Sequence, residues 1–262
     1  MERLSSMFGA ARRGGLSPLP CPALKAGSLH EVFADPADWA AALGFALAMA
    51  GRERRGALVV GSMRSPLKGL GVRGLALQGA GLAGLGIDPA RLVLVAAETR
   101  RHLLHAALEA ARCPGVAAVL LESWGRFAEY DLTASRRLVL AAERSGVSVT
   151  MLRGDAQPCP SAAQTRWRIA SAASTPWLAK APGLPAIEAE LLRQRGGPAG
   201  MVWRLEWDDR HGTFRPDSAS AAIETGAENR GETDNSTGGA SLSGAVVPLA
   251  LQRADTAHSR AA

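Results

Sequence analysis

The sequence predicts an α/β domain: a mostly parallel sheet flanked by helices, extended at one edge by an antiparallel C-terminal hairpin and followed by a disordered tail. Three observations carry this. Between residues 27 and 153, short continuous apolar runs alternate with helix-length segments, which is the rhythm of βαβ units and a parallel sheet. Beyond residue 153 strand-like stretches follow one another, the last two joined by Gly196-Gly197-Pro198. After Phe214 there is no aromatic residue, and residues 216–262 are rich in Ser, Ala, Gly, Thr and acids. Such a segment buries too little apolar surface to offset its ordering entropy.

The elements follow in order. Residues 1–26, rich in Gly and Pro, read as a flexible leader, and 27–215 as the folded domain. Ser28–Phe33 alternates as a strand. Ala37–Ala50 is a strongly apolar helix for which Asp35 or Asp38 supplies the cap. Ala57–Gly61 has the continuous apolar run of a strand buried on both faces. The glycine-rich basic stretch 64–86 contains a helix ending at Gly84–Gly86, and Arg91–Ala96 is the next strand. Glu98–Arg112 is a helix stopped by Cys113-Pro114-Gly115, and Val116–Leu121 is a buried strand. Asp131–Ser145 is amphipathic, with Asp131 or Thr133 as cap and Leu138, Ala141 and Ala142 inward. Val147–Leu152, Thr165–Ala170, Ile187–Arg195 and Met201–Trp207 complete the strands, the last pair as a hairpin.

Charge divides along the same boundary. The chain has 30 Lys+Arg against 24 Asp+Glu, yet residues 216–262 are acidic, so the domain itself is markedly basic. A basic body suits an acidic partner such as nucleic acid; an Arg-rich composition with only Lys25, Lys68 and Lys180 as lysines also arises without one. Cys21, Cys113 and Cys159 have no metal spacing and an odd count, as expected of a reducing compartment. The longest apolar run, Ala40–Ala50, is too short to span a bilayer. A cytoplasmic protein without a membrane partner is the expectation.

The order of elements is that of the RecA core, which the chain resembles. In that fold the first strand runs into a phosphate loop, whose glycines let backbone N–H groups wrap the phosphates and whose Lys and Ser/Thr hold the β/γ-phosphates and Mg²⁺. His30-Glu31-Val32-Phe33 occupies that strand here, and the following segment is Ala34-Asp35-Pro36-Ala37-Asp38-Trp39-Ala40-Ala41. It has no glycine, lysine or hydroxyl, and two carboxylates that repel phosphate. The strand at Ala57–Ser65 ends in Gly61-Ser62 without a catalytic acid, and Glu122 remains at the end of the magnesium-side strand. The expectation is a pseudo-ATPase: no catalysis, no nucleotide, no metal and no other cofactor. Trp39 is expected to plug the vacated phosphate cavity.

Five stretches in order resemble the ImuA family more specifically: Gly27–Phe33, Gly84–Leu92, Asp131–Leu138, Pro160–Arg168 and Glu190–Gly197. The resemblance implies a RecA-like accessory protein of SOS-induced mutagenic repair. Its implied partners are an ImuB-like protein, an error-prone C-family DNA polymerase and RecA, with DNA as a further contact that the basic body allows. A SulA-like inhibitor of cell division is the alternative, although such chains are shorter and lack the basic closing hairpin.

Four arginines are the candidate contacts to DNA or partner. Arg193 and Arg195 lie where RecA-like folds carry the basic pair of the closing hairpin. Arg166 and Arg168 flank Trp167 as in single-strand stacking platforms. Strand alternation, however, sends Trp167 to one face and both arginines to the other, which favours a core tryptophan. Arg52, Arg54, Arg55, Arg64, Lys68 and Arg73 either follow a phosphate backbone or form a solvated face. Glu98, His102 and His105 share a helical stripe that permits a metal site but lacks a fourth ligand.

Overall fold

The structure is a computed structural model describing residues 24–51, 56–63, 77–178, 181–197 and 199–216. The leader before residue 24, the basic residues at 52–55 and 64–73, and the tail from 217 lie outside the described residues.

The expected architecture is present. In chain order the elements are β1 (Leu29–Ala34), α1 (Trp39–Gly51), β2 (Ala57–Met63), α2 (Gly79–Gly84), β3 (Leu92–Ala97), α3 (Arg100–Arg112), β4 (Val116–Trp124), α4 (Leu132–Ser145) and β5 (Ser148–Gly154). Strands β6 (Thr165–Ala172), β7 (Ala186–Gln194), β8 (Met201–Asp208) and β9 (Thr213–Pro216) follow. They form one nine-stranded sheet in the order β3-β2-β4-β5-β1-β6-β7-β8-β9. The pairings from β3 through β6 are parallel, and β7, β8 and β9 add antiparallel. The hairpin is β7–β8, and β9 is an addition the sequence reading missed. Its four residues include Arg215 and Pro216, which carry little strand signal and suit an edge.

Hydrophobic pattern decides which helix covers which face. α1 is apolar all round and mostly buried: it lies on β1, β4, β5 and β6, and Leu82 and Ile87 pack in the same core cluster. α3 and α4 are amphipathic and share the opposite face, burying Leu103, Ala107 and Ala111 from one and Leu138, Ala141 and Ala142 from the other. Their ends are set locally. The Thr99 hydroxyl accepts from His102 N at 3.1 Å and the Asp131 carboxylate from Ala134 N at 2.7 Å. Gly146 closes α4 in the left-handed region at φ 79°.

Two expectations are corrected. Neither Asp35 nor Asp38 caps α1 with its side chain: Pro36–Asp38 is a 3-10 turn, and Asp38 Oδ1 accepts from Ser171 N on β6 at 2.8 Å. Glu98 precedes the cap of α3, so it is not on the helical stripe of His102 and His105. No metal-holding cluster of His, Cys, Asp or Glu occurs among the described residues, and none of their helices is long and apolar enough to cross a membrane.

Candidate functional site at the carboxyl end of the sheet

In open α/β sheets the crevice for ligands lies beyond the carboxyl ends of the parallel strands. Here β1, β5 and β4 end together, with Ala34 opposite Gly154 and Gly154 opposite Trp124. Each face of this edge is built differently.

On the face under α1 the edge is closed by indoles. Trp39, the first residue of α1, is 2 % exposed, and its ring centroid lies 4.3 Å from that of Trp124. Both rings sit against Gly154, where an added Cβ would come within 2.8 Å of Trp39 Cζ3 and 2.7 Å of Trp124 Cε3. Any other residue at 154 would displace one ring. In the connecting backbone Asp38 N donates to Asp35 O at 3.0 Å, and Ala34 O accepts from Asp155 N at 3.1 Å. Glu122, two residues before Trp124 on the same face of β4, is largely buried, and burial pushes its carboxyl up to about 7. No ion pair or hydrogen bond to its carboxylate occurs among the described residues.

The opposite face of the same edge is charged. Glu31, fully buried in β1, accepts from Tyr130 Oη at 2.8 Å and from Arg166 Nε at 2.7 Å. Arg166 also donates to Cys159 O at 2.5 Å and to Ser161 Oγ at 3.2 Å. Arg153, at the end of β5, is only 2 % exposed. Its Nη2 donates to Gly125 O at 3.2 Å, while Nε and Nη1 are buried without a hydrogen-bond partner. Aromatic rings receive it instead: Tyr130 at 5.6 Å, Phe33 at 5.8 Å and Phe127 at 6.0 Å from the guanidinium carbon, distances at which cation–π attraction offsets part of the desolvation. Burial, then the Glu31 charge, raises the Tyr130 hydroxyl well above its ordinary pKa, so it stays a donor.

A neutral relay lies on the α1 face of the same strands. Trp167 Nε1 donates to Thr165 Oγ1 at 2.8 Å, and the Thr165 hydroxyl meets His30 Nδ1 at 2.8 Å. His30 Nε2 lies 3.1 Å from the Lys25 carbonyl, which only accepts, so Nε2 carries the hydrogen and Nδ1 accepts from Thr165. Burial lowers the His30 pKa to about 4 and keeps the ring neutral.

The four candidate arginines divide within this frame. Arg166 turns inward onto Glu31. Its cross-strand partner Arg193 is half-buried and donates to Ser161 O at 3.3 Å. Arg168 is exposed and paired with Glu190 at 3.0 Å. Arg195 is exposed, with its main chain bonded to Gln164. Trp167 is no stacking platform: it is fully buried, 5.9 Å from Phe45 and 5.7 Å from Trp203. The sequence reading missed the Glu31–Tyr130–Arg153 cluster. The signal available was a lone glutamate inside LHEVFA, a strand whose six positions are all buried.

No protein-family model and no curated protein matches the chain. Among solved structures it is similar to the RadB recombinase, with 16 % identity, a TM-score of 0.48, and coverage of 79 % of this chain and 94 % of that one.

Proposed function

We propose that the protein is a non-catalytic, RecA-like adaptor in SOS-induced error-prone DNA repair, working with an ImuB-like protein and an error-prone C-family polymerase and modulating RecA. The observation that carries the non-catalytic half is Trp39. In the RecA-like reading Ala34–Ala41 aligns with the phosphate loop, and there a buried indole packed against Trp124 stands in place of the glycines and lysine that would hold a triphosphate. The repair role rests on the ordered stretches that resemble the ImuA family. Arg168 and Arg195, which face outward, are then the members of the four suited to touching DNA or a partner, whereas Arg166 and Arg193 hold the segment 159–161 in place.

Co-purification of the tagged full chain with the ImuB-like protein, the polymerase and RecA from the same cells tests this reading. Retention of at least one of them is expected. Retention of none, with the division protein FtsZ bound instead, would overturn it in favour of a division inhibitor.

A further inference from the structure

The face of α3 and α4 that looks away from the sheet carries two matched stripes. On α3, Arg101, His105, Leu108 and Arg112 follow one another at i, i+4, i+7 and i+11; on α4, Thr133, Arg137, Leu140 and Arg144 have the same spacing. Both helices return from the carboxyl to the amino end of neighbouring parallel strands, so the stripes run side by side. Between them lie two adjoining open cavities of about 420 Å³ and 510 Å³, with Arg137 on the wall of both.

We propose that this groove docks an acidic amphipathic helix of a protein partner. Charge complementarity selects the acidic class. The larger cavity is walled by Arg112, Arg137 and Arg144 with no carboxylate among its lining residues. The Glu109 partner of Arg112 lies outside it, in a pair whose side chains are 58 % and 71 % exposed, a geometry that holds little energy. The apolar floor selects a peptide over a nucleic acid. Leu104, Leu108 and Leu140 line the groove, and Leu140 is 51 % exposed. A phosphate backbone would have to dehydrate them without return, whereas leucines on one face of a helix bury against them. The stripes span twelve residues, from Arg101 to Arg112 on α3, about three helical turns of partner. Glu129 and Asp131 lie only at the other end of the groove, so the partner's acidic residues meet Arg137 and Arg144. The inference goes beyond the adaptor reading and does not depend on it.

The test uses the full chain and three fluorescent probes: a three-turn acidic amphipathic peptide with leucines on one face, a scrambled peptide of the same composition, and a single-stranded oligonucleotide of equal charge. Micromolar binding of the amphipathic peptide is expected, at least tenfold tighter than the scrambled one. Arg137→Glu and Leu140→Asp should each weaken it at least tenfold, and Arg210→Glu, on a distant exposed turn, should not. Equal binding of both peptides, indifference to Leu140→Asp, or loss of only the oligonucleotide on Arg137→Glu would each overturn the proposal. Both substituted side chains are exposed, and unchanged melting temperatures would verify that the variants fold.

Discussion

The two faces of the sheet's carboxyl edge meet the same strands and solve burial in opposite ways. Under α1, Trp39 and Trp124 fill the edge with indole against Gly154. Across the sheet, Glu31, Tyr130, Arg153 and Arg166 fill it with charge and hydrogen bonds. Two glutamates make the contrast quantitative. Glu31 receives two short hydrogen bonds, one of them an ion pair with Arg166, whereas Glu122 receives none from the described residues and its pKa rises to about 7. A buried carboxylate persists where its lone pairs are met, and an unmet one takes up a proton instead. The charged face is held by hydrogen bonds and an ion pair, and the indole face by the packing of Trp39 and Trp124 against Gly154.

The largest effect should follow from breaking the charged face. Glu31→Ala leaves the Arg166 guanidinium without its ion pair and Tyr130 Oη without its acceptor, in a site that already leaves Arg153 Nε and Nη1 unpartnered, so urea titration should lose about 3–5 kcal/mol. A loss under about 1 kcal/mol would mean that the cluster is not a structural unit. Breaking the indole face comes next. Trp39→Ala removes a nearly fully buried ring and should cost about 3–4 kcal/mol, read by the same titration, with only part recovered by Trp39→Phe.

Glu122→Gln sharpens the contrast between the two glutamates. Because the folded-state pKa is raised to about 7, the native protein holds a proton between about pH 4.5 and 7 that the unfolded chain releases, and its stability falls as pH climbs through that window. The glutamine variant lacks this slope. It should nearly equal the parent near pH 4.5 and exceed it by roughly 3 kcal/mol at pH 8; an equal slope in both proteins would refute the raised pKa. The smallest effect belongs to the surface. Arg168→Ala breaks an exposed pair with Glu190 and should change stability by no more than about 1 kcal/mol, while lowering affinity for DNA or partner if that face is used.

Much of the architecture was legible in the sequence because it is written locally. The apolar runs of β2 and β4 announced buried strands, and Asp131, Leu138, Ala141 and Ala142 gave α4 its cap and its inner side. Arg166-Trp167-Arg168 alternated as strand geometry requires, which placed Trp167 in the core. What escaped depends on residues far apart in the chain. Trp39, Trp124 and Gly154 meet only because β1, β4 and β5 end in register, and Glu31 finds Tyr130 and Arg166 across 99 and 135 residues. Asp38 looked like a helix cap because its true partner, Ser171, is equally remote.

In the proposed adaptor reading, Trp39 stands where a nucleotide's phosphates would otherwise sit. Melting the full chain with and without millimolar Mg·ATP tests it most directly, since a ligand at a hundredfold its dissociation constant adds about 2.7 kcal/mol to the folded state. No change in melting temperature is expected with ATP. A saturable rise with ATP would contradict it, and loss of that rise on converting the segment at 34–41 would place the nucleotide there.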